Sequence, residues 1–132
     1  MSIAHLAQDF SALLAAGETR RAADKYWAQD VEWIAPECST CDVVAGDRLQ
    51  GSGGFNTARR RLDRWLADNI VEDVMIDGPF ITGNTFALFI DRMVTDRRSG
   101  QAAPFSEIAI YTVHEDKIIE ERHFYEPAGT TA

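Results

Sequence analysis

Three side chains in the last quarter of the chain carry the clearest chemistry. His123 and Glu121 stand two positions apart in the segment IIEERHFYEP, and Glu107 opens the segment EIAIYTVHEDK. In an extended strand, residues two apart point to the same face. Glu121, His123 and Tyr125 therefore form one set, and Glu107, Ala109, Tyr111 and Val113 form another. If the two strands are neighbours, they bring one imidazole and two carboxylates together. A carboxylate beside an imidazole fixes its tautomer and raises its basicity, which suits proton transfer. One imidazole and two carboxylates are also a donor set for a divalent metal.

The second candidate is the pair Cys38 and Cys41 in ECSTCD. A redox CxxC needs its first thiol at a helix N-terminus, where the thiolate is stabilised. Here the pair follows an extended segment and Pro36. A zinc site needs a second ligand pair at matching spacing, and His5, His114 and His123 are scattered. The expectation is two thiols in a loop, with no metal bound.

The elements that must position these groups follow from periodicity. Ile3, Leu6, Ala7, Phe10, Leu13 and Leu14 share one helical face. Gly17 ends that helix, and Thr19 can cap a second one through Ala22, Ala23, Tyr26 and Trp27. DVEWIA, residues 30–35, alternates as a strand with Val31, Trp33 and Ala35 on one side. Residues 37–51 are irregular, with a possible short strand at 42–45. Ser52 is a plausible N-cap for a third helix, whose stripe is Phe55, Ala58, Leu62, Trp65 and Leu66. Arg59, Arg60, Arg61 and Arg64 mostly fall off that stripe and read as a solvated face paired with carboxylates.

The rest of the chain reads as strands. One spans 70–81 and is interrupted near Gly78-Pro79. The others span 85–95, 104–114 and 117–125, joined by turns at Thr82-Gly83-Asn84, DRRSGQ and Glu115-Asp116. Short turns force antiparallel neighbours. The fold class is therefore α+β: N-terminal helices packed on a curved antiparallel sheet, a cone that encloses a pocket.

Bulk properties narrow the partners. The chain has 132 residues with 45% apolar and 26% charged side chains, enough for one domain with a real core. We expect that domain over 1–127, with 128–132 as a tail. The formal charge of -8 disfavours nucleic acid. No apolar run is long enough to span a membrane. The start MSIAHLAQDF does not read as a signal peptide, so the expected location is cytoplasmic. There is no motif for nucleotide, haem, flavin or phosphate, and no cofactor is expected.

Three segments carry a family resemblance across nearly the whole chain: FSALLAAGE with AADKYWAQDVEWI, then GPFITGNTFALFI, then EIAIYTVHEDKIIEERHFYEP. In that order they resemble the nuclear transport factor 2-like superfamily, whose cone is of the cystatin-like type. Within it, the SnoaL-like, polyketide cyclase-like branch is most similar. The superfamily hosts isomerases, cyclases, dehydratases, hydrolases and binding proteins, so the resemblance implies the fold more than the reaction. Laid over the ketosteroid isomerase pattern, the positions of its Tyr and two Asp groups hold Phe10, Ala35 and Ala109, none of which can move a proton. Laid over the cyclase pattern, the acid/base Asp position holds His123 and a His position holds Glu121, an exchange of the two groups. The resemblance does not favour a metal.

The superfamily's strand orientation implies inward faces of Val31, Trp33 and Ala35; Ala87, Phe89, Asp91 and Met93; Glu107, Ala109, Tyr111 and Val113; and Glu121, His123 and Tyr125. The expected lining is Phe10, Trp27, Trp33, Leu62, Trp65, Phe89 and Met93, with Asp91, Glu107, Tyr111, Glu121, His123 and Tyr125 as its polar groups. The expected catalytic set is His123, Glu121 and Glu107; the expected ligand contacts are Trp33, Phe89, Asp91, Tyr111 and Tyr125. Two functions fit. One is cofactor-independent acid/base catalysis on a small apolar carbonyl compound: cyclisation, isomerisation or dehydration. In it His123 moves the proton, Glu121 or Glu107 orients it, and Tyr111 or Tyr125 steadies an oxyanion. The other is a non-catalytic ligand-binding or interaction module. Apolar outward positions Ile108, Ile110 and Phe124 suggest a homodimer through the outer sheet face.

Overall fold

A computed structural model describes residues 1–35 and 54–126. Cys38, Cys41, Ser52, the possible strand at 42–45 and the tail lie outside the described residues. The elements run α1 (Ile3–Ala15), α2 (Thr19–Tyr26), β1 (Trp27–Ile34), α3 (Gly54–Asp68), β2 (Asn69–Thr82), β3 (Thr85–Asp96), β4 (Ala102–His114) and β5 (Lys117–Phe124).

Local chemistry fixes the helix ends. The Ser2 hydroxyl accepts the His5 N–H at 3.2 Å and caps α1. At the other end Gly17 adopts φ +80°, and the Gly17 and Glu18 amides donate to Leu14 and Leu13 carbonyls. That turn makes Glu18 the N-cap residue of α2, without a side-chain cap bond, so Thr19 is the first helical residue rather than the cap. α2 passes directly into β1 at Trp27.

The sheet order is β1-β5-β4-β3-β2. β2 to β5 form the expected antiparallel meander. β1 differs: it joins the β5 edge in parallel, with Trp33 opposite Glu121 and Ile34 opposite Arg122. The sheet is therefore mixed, because the return from β1 passes through α3 and the whole meander before β5 comes back alongside. Glu115 and Asp116 take φ +50° and +64°, as a tight two-residue hairpin needs. β2 slips against β3 at Glu72/Met75 and at Asp77/Phe80. At the second slip a Cβ on Gly78 would lie 2.9 Å from the Ala87 carbonyl oxygen, so only glycine lets the strands approach there. Such bulges bend a strand and help curl the sheet.

The core lies between the helices and the concave sheet face. α1 and α2 contribute Leu6, Ala7, Phe10, Ala22, Ala23 and Tyr26, and the sheet contributes Val31, Phe86, Leu88, Ala109, Tyr111 and Ile118. Phe10 sits edge-on to Tyr26, Phe86 and Tyr111, with ring centroids 5.0–6.2 Å apart.

β3 requires a correction. Its inward residues are Phe86, Leu88 and Ile90, not Ala87, Phe89, Asp91 and Met93. Residues directly opposite in an antiparallel pair share a face. Phe86 pairs with Tyr111, Leu88 with Ala109 and Ile90 with Glu107, so the inward face of β4 dictates even positions on β3. A one-residue error in parity turns every side chain over.

Candidate active site

The cone encloses a cavity of about 380 Å³ between the sheet and the three helices, a size suited to a small molecule. Phe10, Trp27, Trp33, Leu62 and Trp65 line it as expected, with Glu107, Tyr111, Glu121, His123 and Tyr125. Phe89, Asp91 and Met93 do not. Phe89 is 41% exposed on the convex face, and Asp91 lies exposed beside it, accepting a hydrogen bond from the Ser106 hydroxyl. Their places are taken by Ile90 and Arg92.

Strand alternation brings the acid/base groups together. Glu121 and His123 point inward from β5, and His123 lies opposite Ala109 on β4, whose methyl group leaves space for the ring. Glu107 reaches the same ring from farther along β4. The Nδ1 of His123 bonds Glu107 Oε1, and its Nε2 lies 3.0 Å from Glu121 Oε1. Glu107 Oε2 accepts from Arg92 Nη2, and Glu121 Oε2 accepts from the Trp27 indole N–H. All four carboxylate oxygens are thus occupied by protein donors. Each donor atom of the three residues is turned on another member of the cluster, not on a shared central point.

This geometry decides a protonation state. A neutral imidazole has one N–H, and the second nitrogen would face a carboxylate with a lone pair. Two carboxylates on two ring nitrogens require the imidazolium. Burial opposes that charge, but the hydrogen bonds to Glu107 and Glu121 outweigh it and raise the His123 pKa to about 9. For Glu107 burial again acts against the ion; His123 and Arg92 prevail and hold its carboxyl down at about 2. Burial, then the charges of Glu121 and Glu107, push the Tyr111 hydroxyl well above its usual range. Burial raises Tyr125 as well.

Aromatic rings frame the charges. Trp33 lies against His123 with centroids 4.9 Å apart. The Arg92 guanidinium sits 4.7 Å from the Phe105 centroid and 5.7 Å from that of Trp65, and Arg61 lies 5.3 Å from the Trp33 centroid. Sequence reasoning missed Arg92 and the donor role of Trp27. A signal for Arg92 existed: it has the parity of Phe86, Leu88 and Ile90 and is the cation on an otherwise apolar strand face. Trp27 was legible as lining, but only tertiary packing shows what its indole meets.

The helices on a curled five-stranded sheet, open at β1 and β2, define the nuclear transport factor 2-like class. A model of the SnoaL-like domain matches residues 1–125, and the chain belongs to that family. A Mesorhizobium loti protein provisionally described as a SnoaL-like polyketide cyclase is 31% identical, with a TM-score of 0.82 over 95% of this chain and 100% of its own. A nuclear transport factor 2-like protein of unknown function from Burkholderia pseudomallei superposes with a TM-score of 0.75 at 12% identity, over 96% and 92% of the two chains. TerC, co-crystallised with polyporic acid, superposes at 0.72 and 16% identity over 94% and 91%. The last two likenesses concern the fold alone. No curated protein matches the chain.

Proposed function

We propose that the cone binds a small, largely apolar carbonyl compound and that His123 and Glu121 act on it as a coupled acid and base. One observation carries this reading: His123 Nε2 and Glu121 Oε1 stand 3.0 Å apart at the wall of an apolar cavity. Glu121 takes the proton from the carbon next to the carbonyl. His123 gives its Nε2 proton to the carbonyl oxygen, so the product is the enol and the charges cancel. The proton then passes from Glu121 to His123 across their own contact, which resets the pair. Glu107, held ionised by Arg92, keeps Nδ1 protonated and the ring oriented. Enol formation is the shared first step of aldol-type cyclisation and of double-bond isomerisation. The co-crystallisation of TerC with polyporic acid supports ligand binding by this fold.

The test is solvent deuterium exchange into the acidic carbon position of small aryl ketones, followed by proton NMR. Exchange above the buffer rate, lost in Glu121→Gln, is expected. No exchange with any ketone that binds would remove the catalytic reading. A passive binding module is the second reading. The observation favouring it is that every carboxylate oxygen of the cluster already has a protein donor.

We also infer that the convex sheet face joins two copies of the chain. Phe89, Ile108 and Phe124 lie side by side across β3, β4 and β5 and are 41%, 42% and 51% exposed. Adjacent exposed apolar side chains on one sheet face suit sheet-on-sheet packing. The net charge of -8 supports a small-molecule partner over nucleic acid. No helix of the described residues is long and apolar enough to cross a membrane.

A further inference from the structure

A balance of hydrogen-bond donors and acceptors in the cavity narrows the ligand class. The two buried carboxylates of the cluster are engaged: both oxygens of Glu107 and both of Glu121 hold protein donors. The donors are not. Arg92 spends only Nη2 on Glu107, and its Nε is buried with no partner among the described residues. The hydroxyls of Tyr111 and Tyr125, both at the cavity wall, make no hydrogen bond with other described residues. A buried donor without an acceptor is costly, so a ligand that supplies acceptors satisfies groups that the protein itself leaves unpaired.

Arg92 is also the residue best placed to select charge. Its planar guanidinium lies over Phe105 and Trp65 and is bonded to Glu107, contacts that help to fix it before a ligand enters. A planar guanidinium with unused N–H groups matches a carboxylate, and the charge-assisted bond is stronger than one to a neutral oxygen. We propose that the physiological ligand is an aromatic or alicyclic acid whose carboxylate is read by Arg92, assisted by the hydroxyls of Tyr111 and Tyr125. This rests on the pocket being the ligand site, as proposed above, and it narrows the carbonyl compound to one with an anionic end. The overall negative charge of the protein makes the selection local: an anion gains nothing from the surface and must be recognised inside.

The experiment compares naphthoate with naphthamide by titration calorimetry, two probes of one shape that differ in charge. Wild-type protein should bind naphthoate about tenfold tighter or more, a difference of about 1.4 kcal/mol. Arg92→Lys keeps a cation beside Glu107 but loses the planar fork, and it should cut the preference severalfold. Arg92→Gln, if circular dichroism shows it folded, should abolish the preference. Equal affinities in the wild type, tighter binding of the amide, or a full preference retained in Arg92→Lys would each overturn the proposal while leaving the pocket reading intact. Binding of neither probe at millimolar concentration would overturn both. Naphthoate binding in a protein that shows no deuterium exchange would sustain this inference and remove the catalytic one.

Discussion

His123 presents its Nε2 to Glu121 Oε1 at 3.0 Å, and the contact joins two residues of one strand rather than two distant elements. Their relative position is fixed by strand geometry. The ring is then anchored from the neighbouring strand by Glu107. Deleting the imidazole should therefore disturb charge balance more than backbone architecture. His123→Ala leaves two carboxylates facing each other in the core. We expect a loss of about 3–5 kcal/mol, the usual cost of removing one partner of a buried ion pair, measured by urea unfolding. A change below about 0.5 kcal/mol, within the range of surface substitutions, would mean that the cluster is hydrated and open.

Stability should have a maximum in mildly acidic solution. The folded pKa of His123 is raised from 6.5 to about 9, so its contribution is full below 6.5 and is lost as pH rises through about 9. Glu107 is lowered from 4.5 to about 2, so its contribution is full above 4.5 and is lost as pH falls through about 2. The melting temperature should therefore peak between about 4.5 and 6.5 and fall on both sides. In His123→Gln the alkaline fall should disappear. A flat profile from pH 6.5 to 9 in the wild type would contradict an imidazolium in the folded state.

Exchange activity should share the alkaline limit. The acid form of His123 is the working form, so the rate should fall above about pH 9. A rate that instead climbs through that region would identify the neutral imidazole as a base.

Trp27→Phe tests the outer partner of Glu121. The ring is largely retained, but Glu121 Oε2 loses its indole donor. A charge-assisted hydrogen bond of this kind is worth about 1.5–3 kcal/mol, and loss of stability in that range is expected by thermal or urea unfolding. An unchanged stability would show that water replaces the indole.

Multi-angle light scattering should give a dimer at micromolar concentration, and Ile108→Glu should give a folded monomer. Ile108 sits between Phe89 and Phe124, so one carboxylate there interrupts the whole row. A monomeric wild type would remove the dimer.

The order of elements was readable because helical stripes and short turns are local signals. For β4 and β5, alternation grouped Glu107 with Tyr111 and Glu121 with His123, and the family resemblance turned both groups inward, where they lie. β3 was not, although Phe86, Leu88 and Ile90 form the more apolar set. The expected orientation was carried over from the family, and it outweighed that local pattern. The parallel placement of β1 left no trace in sequence, because pairing between the first and last strands depends on the path of the whole chain. For the same reason the protonation of His123 could not be read. Alternation puts a carboxylate near the ring, but only the assembled sheet shows that both nitrogens are taken.

The chain contains three tryptophans, and Trp27, Trp33 and Trp65 all stand at the cavity wall. The protein is for that reason its own optical probe. An occupant changes the surroundings of indoles at that wall, with no emission from a distant tryptophan to dilute the change. Libraries of unlabelled compounds can be screened on native protein by emission wavelength and lifetime.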